Sequence, residues 1–125
     1  MFTRIIVGTD GSKTATKAVD QAVAVAESLG ATLTIASAGK PEAARKVLDA
    51  ETARLRDAPV PITTEVLEGD PAAALVERAE LGEFDLLVVG NKGMTGVSRF
   101  TTGLVSVPNK VSHHAPVSLL IVRTT

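Results

Sequence analysis

Four glycines, Gly90, Gly93, Gly96 and Gly103, fall within the stretch GNKGMTGVSRFTTGLVS at residues 90–106, directly after the apolar run FDLLVV. Backbone that carries no Cβ reaches positive φ and admits a ligand against the main chain, so successive amides can converge on an anion. Gly103 to Ser106 immediately precede a segment, Val107 to about His114, that reads as a helix with Pro108 in its first turn. Its unpaired N–H groups and the positive end of its dipole would face that loop, which makes phosphate the natural guest. The Ser106 hydroxyl either adds a donor there or caps the helix. Lys92 and Arg99 either reach the same phosphates or stay solvated, and Phe100 reads as a packing residue. A shorter candidate is GTDGS, Gly8 to Ser12, with two readings: a ligand-bordering turn, or a structural one in which Asp10 forms the turn and Ser12 caps the next helix.

Other chemistries find no support. With no cysteine there is no thiolate nucleophile, disulfide framework or zinc cluster. His113 and His114 are adjacent and therefore point to different faces of a helix, poor geometry for a shared metal, so no metal site built from protein ligands is expected. Paired carboxylates near the loops, a Gly-x-Ser-x-Gly elbow and a Gly-Lys-Ser/Thr phosphate loop are all missing, so no catalytic residue is assigned and the chain is not expected to be an enzyme. A net charge of −1 without a basic block disfavours nucleic acid and anionic membrane as partners. The N-terminal apolar stretch in MFTRIIVGTDGS is too short for a signal sequence or a membrane span, which leads to the expectation of a cytoplasmic protein.

The elements that must position these loops alternate regularly between strand-length apolar runs and helical periodicity, the pattern of an α/β fold in one domain, residues 1–125. RIIVG (Arg4 to Gly8) reads as a central parallel strand. A helix follows with Ser12 as N-cap, Ala15, Ala18, Val19, Ala22, Ala26 and Leu29 as its apolar stripe, and Gly30 past its end. Ala31 to Ser37 is predicted as the second strand. Pro41 to about Asp57 reads as a helix with Ala44, Val47, Leu48 and Leu55 inward, ended by DAPVP. Ile62 to Gly69 is a more polar strand, expected at a sheet edge. Asp70 and Pro71 start a helix that buries Ala72, Leu75, Val76 and Ala79 and stops at Gly82. Phe84 to Gly90 and Val117 to Val122 are the remaining strands. Right-handed crossovers between parallel strands make an open, doubly wound sheet with helices on both faces, whose ligands sit beyond the carboxyl ends, and the two glycine-rich loops are expected to face each other there.

The chain resembles the universal stress proteins, whose signature is Gly, two residues, Gly, nine residues, Gly. Gly90, Gly93 and Gly103 meet that spacing, and IIVGTDGS, EGDPAAALVERAE and DLLVVGNKG are similar to family segments in the family's order. The closing VPNKVSHHAPVSLLIVRTT is similar to actinobacterial members. The resemblance implies a five-stranded parallel sheet of order 3-2-1-4-5, a homodimer along the last strand, and a nucleotide-binding module of stress response or signalling that holds ATP. It implies that Gly8, Thr9 and Asp10 border the adenosine and that main chain around Ala36 meets the adenine edge. Gly90 and Gly93 would lie against ribose and phosphate, Val89 would be a further binding residue, and Gly103, Leu104, Val105 and Ser106 would wrap the phosphates. Asp10 would orient a magnesium ion carried by those phosphates. Cyclic AMP is the alternative ligand, and a ligand-free dimeric interaction scaffold and a weak ATPase are the alternative functions. The chain departs from the family pattern at Leu104, where a Ser or Thr is usual, in a shorter connection after the second strand, and in a longer TTGLVSVPNK segment. The missing hydroxyl donor is worth about 1.5–3 kcal/mol if it met a charged group.

Overall fold

A computed structural model describes residues 2–91 and 117–124. In chain order the elements are β1 (Arg4–Gly8), α1 (Lys13–Leu29), β2 (Thr32–Ala38), α2 (Pro41–Arg54), β3 (Ile62–Leu67), α3 (Pro71–Leu81), β4 (Leu86–Gly90) and β5 (Ser118–Val122). The expected helix from Val107 to about His114 lies outside the described residues.

All five strands join one sheet in the order β3-β2-β1-β4-β5, and every pairing is parallel. That is the predicted order, with the polar β3 at an edge. β1 sits in the middle, with Ile5, Ile6 and Val7 fully buried. Side chains of a strand alternate between faces. Ile5 and Val7 therefore join a core with Ala18, Val19, Ala22 and Ala26 of α1 and Leu48 of α2, while Ile6 joins Leu75, Val76 and Ala79 of α3 on the other side.

The predicted caps are present. Ser12 accepts a hydrogen bond from the Ala15 amide, Gly30 takes a left-handed φ of 66° after α1, and Asp70 accepts from the Ala73 amide ahead of Pro71. Gly82 closes α3, but the left-handed residue is Glu83, at φ 57°. Gly82 serves packing instead: a Cβ there would lie 2.8 Å from both the Arg78 carbonyl oxygen and the Phe84 ring.

Some boundaries differ from expectation. α2 ends at Arg54, ahead of the prolines, with Leu55 as its cap. The Arg54 guanidinium is held there by Glu51 at 2.7 Å and Asp20 of α1 at 2.6 Å. Its hydrogen bond to Glu51 above all raises the Arg54 pKa further, against the lowering by burial. Phe84 precedes β4 instead of belonging to it, buried beneath the Arg4 guanidinium, which lies 4.4 Å from the ring centre. Among the described residues no helix is long and apolar enough to cross a membrane.

Asp85 fastens the amino end of the sheet. Its carboxylate accepts from the Thr3 amide (2.9 Å), the Thr3 hydroxyl (3.1 Å) and the Arg4 amide (3.1 Å). Burial pushes this carboxyl up, but the hydrogen bonds from Thr3 and Arg4 outweigh it and hold the group below its ordinary value. A carboxylate with a depressed folded pKa contributes stability that is complete above the unfolded-state value and is lost as pH falls through the folded value. Asp85→Ala is expected to lower the unfolding free energy at neutral pH by about 1 kcal/mol, the modest figure suited to a partly solvated group. The gap to the parent chain should narrow below about pH 4, and urea titrations at several pH values check this. A gap that stays constant to the lowest pH would show that the carboxylate charge is not responsible.

Candidate functional site

The carboxyl edge of the sheet is built around the end of β1. Gly8 pairs with Ala36 of β2, and the amide of Thr9 donates to the Ala36 carbonyl at 2.9 Å. Thr9 is fully buried, and its hydroxyl oxygen accepts from the Gly11 amide at 3.1 Å. Asp10 is exposed, and its Oδ1 accepts from the Ser12 amide at 2.9 Å, the side-chain turn typical of Asp. Gly11 holds φ at 83°, where an L side chain is strained, and Ser12 then caps α1. The structural reading of GTDGS is thus realised, with Asp10 as turn former and Ser12 as cap.

That turn still leaves groups for a ligand. Only one Asp10 carboxylate oxygen is engaged by a described residue, and the amides of Lys13 and Thr14, in the first turn of α1, make no hydrogen bond to one. The positive end of a 17-residue helix and a carboxylate oxygen that no described residue engages therefore belong to one turn. The first suits phosphate or another anion, and the second suits ribose hydroxyls or a hard cation carried on phosphate. Among the described residues no three His, Cys, Asp or Glu side chains gather as a metal site.

The second loop leaves from the neighbouring strand. β4 pairs with β1, Val7 opposite Val88, and the same register brings Thr9 level with Gly90. The two glycine-rich loops thus start side by side. Gly93, Gly103, Leu104, Val105 and Ser106, the phosphate-wrapping candidates, lie outside the described residues, as do Lys92, Arg99, Phe100, His113 and His114.

Two other predicted residues, Ala36 and Val89, are buried in the sheet. Ala36 is fully buried with its carbonyl engaged, and Val89 is 3% exposed in the core beneath α3. At the carboxyl edge β2 instead presents Ala38 and Gly39, where φ is 123°. Gly8 has a packing reason for lacking a side chain, since a Cβ there would run into Leu75 of α3.

One support escaped sequence reasoning. The Asn91 amide donates to the Val122 carbonyl at 2.8 Å, and the Asn91 Oδ1 accepts from the amide and hydroxyl of Thr124 at 2.8 and 2.9 Å. Thr124 is 3% exposed, and its carbonyl accepts from the Lys17 ammonium of α1 at 3.2 Å. This clamp fixes where the chain leaves β4. Its only sequence signal is an Asn directly after Gly90, which does not reveal a partner 33 positions away.

Gly8→Ala is expected to cost about 1–3 kcal/mol, because the added methyl displaces Leu75. Leu75→Ala in the same chain should relieve the clash, so the double variant loses less than the two singles together in urea unfolding. Strict additivity would remove the packing explanation.

The universal stress protein family model matches residues 1–50 and 36–123, two matches that overlap where the connection from β2 to α2 is only Gly39 and Lys40. Universal stress protein Rv1636 of Mycobacterium tuberculosis is 34% identical over 146 residues, covering 99% of this chain and 98% of the relative. The crystal structure of protein Rv1636 is 38% identical, with a TM-score of 0.65 and 99% and 97% of the two chains covered. A universal stress protein crystallised in complex with cAMP is 36% identical, with a TM-score of 0.76 and 99% and 98% covered. A family model that accounts for both halves, and a relative 34% identical along nearly the whole length, settle the classification: this chain belongs to the universal stress protein family.

Proposed function

We propose that the protein binds an adenine nucleotide at the carboxyl edge of its sheet, between the Thr9–Ser12 turn and the glycine-rich segment after Gly90, and acts as a cytoplasmic stress-response or signalling module. The observation that carries this reading is that the two loops leave the neighbouring strands β1 and β4 side by side, with the Lys13 and Thr14 amides and one Asp10 oxygen engaged by no described residue. Amides of Gly93, Gly103, Leu104, Val105 and Ser106 would receive the phosphate, with Gly90 against the ribose and Gly8, Thr9 and main chain near Ala36 on the adenosine side. Phosphate pairs with such amides without needing a basic cluster.

Of the two ligands in view, cyclic AMP is the better supported and ATP with magnesium the second. The 36%-identical structure holds cAMP. No pair of groups is proposed to activate a water, so the activity is binding, not turnover.

A homodimer along β5 completes the reading. Among the described residues β5 has a strand on one side only, the sheet order ending there, and its Ile121 is 41% exposed. A free strand edge with an apolar face suits a second copy of the same chain.

In equilibrium dialysis, Gly103→Val should abolish binding of cAMP and ATP while leaving the thermal midpoint unchanged, since its added side chain fills the anion cup. Unchanged affinity would sink the site. Ile121→Glu should convert the dimer to a monomer in light scattering after size exclusion, and a parent-like mass would refute the β5 interface.

A further inference from the structure

The pairing of β4 with β5 ends on a side chain. The Ser118 amide donates to the Asp85 carbonyl at 3.1 Å and the Asn91 amide to the Val122 carbonyl at 2.8 Å, with Gly90 level with Val122. In this parallel register the next donor is the Thr124 amide, and its acceptor would be the main-chain carbonyl of Asn91. The Thr124 amide instead meets Asn91 Oδ1 at 2.8 Å, and the Thr124 hydroxyl donates to the same oxygen at 2.9 Å. The Asn91 side chain thus stands in for its own carbonyl. The ladder continues by one bond while the main-chain carbonyl stays off it, at the residue where the glycine-rich segment departs from the sheet. Two donors on Oδ1 also fix the orientation of the carboxamide, since its nitrogen could accept neither.

Thr124 reaches a second element as well. It is 3% exposed, and its carbonyl accepts from the Lys17 ammonium at 3.2 Å. Lys17 lies one turn beyond Lys13, where α1 begins. One buried residue is therefore bonded both to α1 and to the exit from β4. We propose that Thr124 is a positioning residue for the nucleotide site: through Asn91 and Lys17 it sets the spacing of α1 and the β4 exit before a ligand arrives. This rests on the site proposed above and concerns its affinity, not its location. A ligand that bridges two elements binds only those molecules in which their spacing is right, and its apparent affinity falls with that fraction. The Thr124 hydroxyl is the group to remove, because its loss leaves the net charge and the main-chain bonds of Thr124 in place.

Calorimetric titration of the full chain with cAMP, or with ATP should the parent take only that, tests the assignment well below the unfolding transition. Thr124→Val keeps the branched shape without the donor and should bind about fivefold more weakly, the worth of one neutral hydrogen bond, while Thr124→Ser should recover the parent affinity. A residue serving stability alone would lower the thermal midpoint and leave the affinity of the folded chain unchanged. Without nucleotide, hydrogen exchange of the Asn91 amide should quicken in Thr124→Val and not in Thr124→Ser. In Lys17→Met/Thr124→Val the loss should fall short of the product of the two single losses, which separates a shared node from a direct pull of the Lys17 charge on phosphate. A parent chain that binds neither nucleotide would overturn the site and this proposal together. Binding that Thr124→Val leaves unchanged, a loss that Thr124→Ser does not recover, unaltered exchange at Asn91, or strictly multiplicative losses would overturn the proposal alone.

Discussion

Burial of β1 on both faces is the constraint from which the rest follows. Ile5, Ile6 and Val7 see no solvent, and each neighbour of β1 is another parallel strand. Strands so paired can be joined only by crossovers, which carry α1 and α2 over one face and α3 over the other. All turns that follow a strand then emerge along one edge. The candidate site inherits its position from that geometry, with the end of β1 between those of β2 and β4.

Polar contacts then fix the ends of an apolar sheet. At the amino end Asp85 takes the backbone donors of Thr3 and Arg4, and at the carboxyl end Asn91 and Thr124 close on one another while Lys17 ties them to α1. Arg78 reaches Glu65 with two hydrogen bonds and also lies over Phe84, joining α3 to the edge strand β3. Its bond to Glu65 raises the Arg78 pKa further, against the lowering by burial. Partly exposed ion pairs of this kind contribute little to stability and more to register. Glycine acts at the same interfaces by omission, as at Gly8 beneath Leu75 and at Gly82 against Phe84.

The GTDGS turn shows how a structural role leaves room for the proposed binding role in one set of residues. Thr9 and Asp10 use one acceptor each to hold Gly11 and Ser12, and Ser12 caps α1. Because the turn is self-supporting, the remaining Asp10 oxygen and the first amides of α1 are held in place without a ligand. Such preorganisation reduces the ordering cost of binding.

Local chemistry made much of this readable from residue order alone. The β-branched run of β1, the Ser12 and Asp70 caps, Pro71 and Gly30 each act within a few residues, so element types and the buried faces of α1 and α3 followed from spacing. Family resemblance added the strand order, and the glycine spacing of Gly90, Gly93 and Gly103 marked the segment proposed to bind phosphate. Tertiary structure decided what spacing cannot encode. Asp85 meets Thr3 across 82 positions, Thr124 meets Asn91 across 33, and Gly11 faces Val47 only because α2 packs beside α1. Ala36 and Val89 fell inside the core because sheet register, not sequence position, determines which main chain reaches the edge. Local rules fix a residue's conformation, and its partners exist only after the strands have paired.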